Sequence, residues 1–207
     1  MTVTVNDTNL KNIANAIRSK NGTAKTYKPS EMAAAIQAIS VGGGGGGSDE
    51  TANYLVSNRS GLTSYTFPEG TTKIESYAFA SCSNLALTEL PSTITSIGMN
   101  AFASCSVLAI SSLPEGMTEV NTSAFSSCKG ITTMNLPSTI QYVWTSAFSF
   151  CTNLTSVTFN GTPEEIAENA FNYCSKLTTI NVPWAEGAVA GAPWGATKAT
   201  INYNHAG

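Results

Sequence analysis

Five cysteines, one histidine and a group of three glutamates are the side chains in this 207-residue chain that could do chemistry. The cysteines recur at a constant spacing of 23 residues, at Cys82, Cys105, Cys128, Cys151 and Cys174. Zinc sites use closely paired thiolates, so this spacing favours buried thiols that pack as small hydrophobic side chains, with no metal and no cofactor. Neighbouring repeats could still bring two thiols together around a metal ion or in a disulfide, although an odd number of equivalent cysteines argues against a disulfide framework.

The remaining reactive side chains do not form a recognisable catalytic set. His205 is the single histidine and lies near the end of the sequence, so Ser-His-Asp and Cys-His arrangements lack a positioned base. Glu164, Glu165 and Glu168 follow Pro163 closely. Two glutamates could act as a glycosidase pair, but acidic residues are also favoured in the first turn of a helix, and we expect that second role here. The sequence therefore predicts no catalytic residue and a protein that is not an enzyme.

A 23-residue repeat must position the cysteines. An Ala-Phe pair precedes each one, at 78–79, 101–102, 124–125, 147–148 and 170–171. Columns of Ile, Val and Leu keep the same phase. One such unit cannot bury its own apolar edge, whereas stacked copies bury a continuous core. Residues 51–183 are therefore predicted to form a solenoid of five turns with one short parallel strand per turn, and the Ala-Phe-x-x-Cys segment a short helical or tight-turn return.

The pattern Ile-x-x-x-Ala-Phe-x-x-Cys-x-x-Leu-x-x-Ile-x-Leu-Pro, over about residues 66–183, resembles the BspA-like (Treponema pallidum-type) leucine-rich repeat. The resemblance implies a leucine-rich repeat solenoid of the kind found in bacterial cell-surface adhesins and secreted binding proteins, with no enzymatic activity in the repeat. One departure is local. Thr88 and Ser111 occupy the inward hydrophobic position, and we expect a bulge or an altered strand register there.

Four large aromatic residues interrupt columns that are polar or small in the other repeats. They are Tyr142, Trp144, Phe150 and Tyr173. Such residues on a surface create the apolar area that marks a contact with a protein partner or, by stacking, with a glycan. Alternatively, the C-terminal segment 184–207 could cover them as a cap, or they could pack between subunits.

The N-terminal residues have a different pattern. Residues 1–41 are predicted to form a two-helix docking module, and residues 42–50 a flexible linker that contains six consecutive glycines. The apolar faces of the two helices are expected to make the assembly contacts. Their residues are Leu10, Ile13 and Ile17 in the first helix and Met32, Ile36 and Ile39 in the second.

This N-terminal pattern, Asn-Leu-x-x-Ile-Ala-x-Ala-Ile-Arg-x-Lys-x-Gly-Thr followed by Lys-Pro-Ser-Glu-Met-Ala-Ala-Ala-Ile, is similar to a segment common in tail-associated proteins of phages and prophages of Gram-positive bacteria. The resemblance implies a bacteriophage virion protein of the tail tip or fibre. Such a protein would be made in the host cytoplasm, would be homo-oligomeric in its assembly, and would contact other virion proteins and a host surface protein or glycan. The alternative is a BspA-type bacterial surface adhesin or interaction module.

Composition excludes two other classes of partner. The net charge of −3 supplies no basic surface for nucleic acid. The sequence contains no run of 18 apolar residues, so it predicts no membrane insertion. The segment Met-Thr-Val-Thr-Val-Asn-Asp lacks the basic and apolar parts of an export signal.

Overall fold

The computed structural model describes residues 59–67 and 69–205. The predicted helical docking module and the polyglycine linker lie outside the described residues. Residues 59–65 and 70–205 belong to one compact unit, which is the solenoid, whereas Thr66, Phe67 and Glu69 are grouped with a second unit.

The solenoid is built from two columns of short strands joined by turns. Its elements are a 3-10 helix at Arg59–Gly61 and strands β1 (Lys73–Ile74), β2 (Ser96–Ile97), β3 (Glu119–Val120), β4 (Thr133–Leu136), β5 (Tyr142–Val143), β6 (Ser156–Phe159), β7 (Glu165–Ile166), β8 (Thr179–Asn181) and β9 (Thr200–Asn202). The prediction of one strand per turn is therefore wrong. The Ile and Val column also pairs from turn to turn, because each two-residue segment buries one side chain and leaves its backbone free to join the segment of the next turn.

Each strand pairs in parallel with an equivalent strand of a neighbouring turn, but β2 and β3 are not paired with each other. The first column forms the sheets β1-β2 and β3-β5-β7, and the second column forms β4-β6-β8-β9. The register follows the repeat, so that Thr133 pairs with Ser156 and Leu136 with Phe159. Strand β9 extends the second column by pairing Thr179 with Thr200, and this rung makes the solenoid about one turn longer than the five predicted turns.

Stacked phenylalanines form the centre of the solenoid. The rings of Phe79 and Phe102 lie 5.2 Å apart at 9°, and those of Phe102 and Phe125 lie 5.5 Å apart at 5°. The stack continues through Phe148 to Phe171. Equivalent residues stack because successive turns repeat the same backbone path, and this confirms the predicted solenoid with a continuous apolar core.

The Ala-Phe-x-x-Cys segment is a series of turns. No α-helix occurs in it in any described repeat, so the helical alternative is wrong and the tight turn is correct. Each segment carries residues in the left-handed region, such as Ser123 at a φ of 54° and Ser127 at a φ of 62°. These residues turn the backbone so that its amides pair with the next turn, as Phe125 N–H does with Ala147 O at 2.9 Å.

The third repeat departs from regular pairing where the sequence predicts it. Ile110 and Leu113 are buried, and the two residues between them are exposed, whereas regular strands alternate one for one. Pairing with the next turn is reduced to a single bridge between Ser112 and Asn135. Two consecutive outward residues thus break the alternation there, while the bridge keeps the 23-residue spacing of the regular strands.

Two tryptophans close the C-terminal end of the core. Trp194 is fully buried and Trp184 nearly so. The Trp184 ring packs edge-on against Phe159 at 5.3 Å and against Trp194 at 6.4 Å. The segment after residue 183 therefore adds a rung whose large rings cover the last turns.

Candidate functional site

The cysteine column is structural. Each thiol from the second repeat onward donates a hydrogen bond to the carbonyl of the phenylalanine 26 residues earlier, as Cys128 Sγ does to Phe102 O at 3.0 Å. All five cysteines are buried and free. Burial raises the pKa of Cys105 to about 12 and that of Cys128 well above its usual range, so both stay neutral thiols, which are poor nucleophiles and poor metal ligands.

The other candidate catalytic residues are dispersed. His205 is exposed near the C-terminal end of the solenoid. Glu165 lies in strand β7, so the expectation that Glu164, Glu165 and Glu168 occupy the first turn of a helix is wrong. Within the described part of the chain, no three His, Cys, Asp or Glu side chains lie close enough together to hold a metal ion.

The four aromatic residues selected from the sequence form two separate pairs. Phe150 and Tyr173 occupy equivalent turns, and their rings stack at 4.5 Å and 17°. Tyr142 lies in strand β5 and Trp144 directly follows it, and these rings stack at 5.2 Å and 8°. No ring contact among the described residues joins one pair to the other.

The Phe150–Tyr173 pair is the more exposed of the two. Phe150 is 47% exposed and Tyr173 is 62% exposed. Both backbones have a φ of 59°, in the left-handed region, where Ser81, Ser104 and Ser127 stand in the earlier repeats. A large aromatic residue is uncommon there, because its Cβ crowds the following carbonyl. This pair therefore combines backbone strain with an exposed apolar surface.

The Tyr142–Trp144 pair is half-buried and surrounded by carboxylates. Trp144 Nε1 donates to Glu119 Oε2 at 2.8 Å, and Tyr142 Oη donates to Glu164 Oε2 at 2.5 Å. The hydrogen bond to Glu164 is the main reason that the pKa of Tyr142 is raised. These contacts hold both rings in place on the surface of the sheet β3-β5-β7.

Sequence reasoning did not select Glu119 as part of this surface. The repeat register contains the signal, because Glu119 and Glu165 occupy the same column as Tyr142 on the neighbouring turns. Tyr77, Met99 and Val107 are further exposed hydrophobic residues that it did not select. The predicted docking residues Leu10, Ile13, Ile17, Met32, Ile36 and Ile39 lie outside the described residues.

In residues 59–67 and 69–205, no helix has the length and apolar character needed to cross a bilayer.

Comparison with solved structures finds leucine-rich repeat proteins. A leucine rich cell surface protein from Faecalibacterium prausnitzii is 27% identical, with a TM-score of 0.57 over 70% of this chain and 36% of that chain. The T. pallidum leucine rich repeat protein is 24% identical, with a TM-score of 0.52 over 70% of each chain, a likeness that concerns the fold alone. This chain spans only about a third of the Faecalibacterium protein.

The sequence comparisons agree with the fold. Comparison with curated proteins finds no match. The bacteriophage virion interpretation has no support among these relatives, which favour its alternative, a surface or interaction module of the BspA type. The BspA type leucine rich repeat region matches residues 49–178 in six copies, which is more than half of the chain. Together with the stacked turns and their phenylalanine core, this match shows that the chain belongs to the BspA-type leucine-rich repeat family.

Proposed function

We propose that this protein is a non-catalytic binding module of a cell surface, and that Phe150 and Tyr173 contact its partner. The observation that carries the proposal is their exposed ring stack in left-handed backbone positions where three other repeats have serine. Stacked turns bury the conserved frame of the repeat, so residues that depart from the frame and point outward are available for recognition.

The energetics support a role outside folding. The left-handed backbone costs serine and an aromatic residue alike, because both carry a Cβ, and an aromatic pair adds only about 0.5–1.5 kcal/mol beyond its buried area. Serine at both positions would avoid the exposed apolar surface and would keep the same turn. The two rings therefore add little to the stability of the turn, and their exposed apolar surface is available for a contact.

A protein partner fits this surface best. Aromatic side chains are enriched at the centres of protein interfaces, and the leucine-rich repeat solenoid is a fold that generally serves as an interaction scaffold. The cell-surface location is proposed from the Faecalibacterium protein, which is described as a cell surface protein. A glycan that stacks on the two rings is the alternative ligand.

The test returns both positions to the serine of the other repeats. Labelled protein is applied to a panel of immobilised extracellular proteins and glycans, and the double variant Phe150→Ser/Tyr173→Ser is compared with the parent. We expect the parent to bind a protein and the double variant to lose at least about tenfold in affinity, since central aromatic contacts are each worth about 2 kcal/mol.

The matched control is Val107→Asn, which replaces another exposed apolar residue with the asparagine found at Asn84 and Asn153. It should bind like the parent. Equal binding by the double variant and the parent would contradict the proposed contact, and binding to glycans alone would replace the protein partner with the glycan alternative.

The bacteriophage virion role is a second proposal, favoured only by the phage-like pattern of residues 7–36. It predicts that deletion of residues 1–41 abolishes incorporation of the protein into phage particles, measured by immunoblotting of purified particles. Incorporation of the truncated chain at the parent level would contradict it.

A further inference from the structure

The sheet β3-β5-β7 carries a second, chemically different surface. Its outward residues Glu119, Tyr142 and Glu165 lie side by side in register on three successive strands. Trp144 stacks on Tyr142, and Glu164 accepts the tyrosine hydrogen bond. Three carboxylates therefore surround two parallel aromatic rings, and we call these five residues the acidic aromatic face.

Within the described residues, the carboxylates of this face have no cationic partner. The ion pair that the solenoid forms, between Lys73 and Glu75, lies elsewhere, and no lysine or arginine of residues 59–67 and 69–205 is within 4.0 Å of Glu119, Glu164 or Glu165. Negative charge so close to a hydroxyl disfavours the phenolate, which agrees with the raised pKa of Tyr142. The face thus presents uncompensated negative charge beside aromatic rings.

This combination selects cations. A lysine or arginine side chain placed over the face of Trp or Tyr is attracted by the ring, and an adjacent carboxylate adds a charge-assisted hydrogen bond. The hydrogen bonds to Glu119 and Glu164 hold the two rings, so little side-chain freedom is lost on binding.

The geometry favours a chain of cations over a single small one. Glu119 and Glu165 lie two rungs apart, which is about 10 Å at the usual strand spacing, so one ammonium ion cannot contact both. In an extended segment of polyproline II conformation, which has three residues per turn and rises about 3.1 Å per residue, two basic residues three positions apart lie on one face and span about 9 Å. We infer that the acidic aromatic face binds a lysine- or arginine-rich extended segment of a protein partner.

The experiment uses the full chain and fluorescein-labelled octa-arginine, with binding followed by fluorescence anisotropy at low and at moderate salt. We expect binding that weakens as salt is raised and that perturbs Trp144 fluorescence, since Trp184 and Trp194 are buried. The double variant Glu164→Gln/Glu165→Gln should bind about tenfold more weakly, because it removes two charges but keeps an acceptor for Tyr142.

The matched control is Glu89→Gln/Glu186→Gln, which removes the same charge from exposed positions outside the face. Its affinity should stay within about twofold of the parent, while Trp144→Asn, the residue of Asn121, should weaken binding about threefold. The inference is overturned if the parent does not bind, if the two glutamine pairs weaken binding equally, or if tetramethylammonium competes as well as the peptide.

This surface is separate from the Phe150–Tyr173 pair, so the two proposals can fail independently. Phe150→Ser/Tyr173→Ser should leave octa-arginine binding unchanged. A loss of peptide binding in that variant would contradict a distinct basic-segment site.

Discussion

Individual residues in this protein have one of two roles, and the outward or inward direction of the side chain decides which. Cys105 and Cys128 stay protonated because burial raises the pKa of both thiols, and each sulfur donates to a backbone carbonyl. The outward aromatic residues occupy positions where serine, glutamate or asparagine serves the fold equally well in other repeats. Outward residues are therefore available for recognition, and inward residues stabilise the core.

Stability should fall as the pH rises above 9. The pKa of Cys105 is raised from 9.0 to about 12, and that of Tyr65 from 10.0 to about 12, both by burial. Between pH 9 and about 12 the unfolded chain loses these protons while the folded chain keeps them, so the free energy of unfolding decreases with pH. Each thiol contributes at most about 1.4 kcal/mol per pH unit.

Urea unfolding at a series of pH values measures this effect. Cys105→Ser removes the ionisable thiol but keeps a donor for Phe79 O, so its pH dependence should be shallower than that of the parent. Identical pH slopes for the variant and the parent would show that this thiol ionises equally in both states.

At the scale of elements, the repeat frame could be predicted because its columns are inward and apolar. The phenylalanine stack and the parallel pairing follow from residues that recur in phase, and the reduced pairing near Ser111 follows from a polar residue in an apolar column. The second strand column could not be predicted in the same way. Segments such as Glu119–Val120 are too short to show alternation, and only the pairing between turns makes them strands.

The surfaces were only partly predictable. Departure from the frame identified the four aromatic residues, but stacking in two pairs depends on ring orientation, which a sequence column does not contain. The left-handed backbone conformation at Phe150 could not be predicted from the sequence. The equivalent residues of other repeats are serines, and a serine does not by itself indicate that conformation. The contribution of Glu119 to this surface could be predicted only from the strand register between neighbouring turns.

The central stack should dominate the stability of these elements. Phe125 is fully buried and stacks on rings above and below it. Phe125→Ala should destabilise the protein by about 3–5 kcal/mol through lost burial and a cavity, as measured by urea unfolding. Phe150→Ala is the exposed control and should cost less than about 1.5 kcal/mol. Equal losses for the two variants would mean that the inner stack is not the core.

The solenoid is a linear array in which each turn contacts its neighbours, and its stability is approximately a sum over turns and their interfaces. Different contacts close the two ends of the solenoid. At the first turn, Arg59 Nη1 donates to Tyr77 O at 2.8 Å and to Ala80 O at 2.6 Å, which satisfies carbonyls that another turn would otherwise pair. At the other end, Trp184 and Trp194 cover the last rings.

Loss of the terminal ring should loosen the nearest turns first. Trp194→Ala removes a fully buried side chain, so amide hydrogen exchange should accelerate in β8 far more than at Phe102 and Phe125. Mass spectrometry of the exchanging protein measures both regions. Uniform acceleration along the solenoid would show all-or-none unfolding in place of fraying from the end.

The central claim is that a solenoid frame holds the protein together while residues outside that frame recognise partners. Its most direct test is one variant that restores the frame at all four positions, with Tyr142→Ser, Trp144→Asn, Phe150→Ser and Tyr173→Ser taken from other repeats. Its circular dichroism spectrum and its binding to the panel of extracellular proteins and to octa-arginine are measured together. We expect a native spectrum with both kinds of binding reduced at least about tenfold. A native spectrum with undiminished binding would contradict the claim.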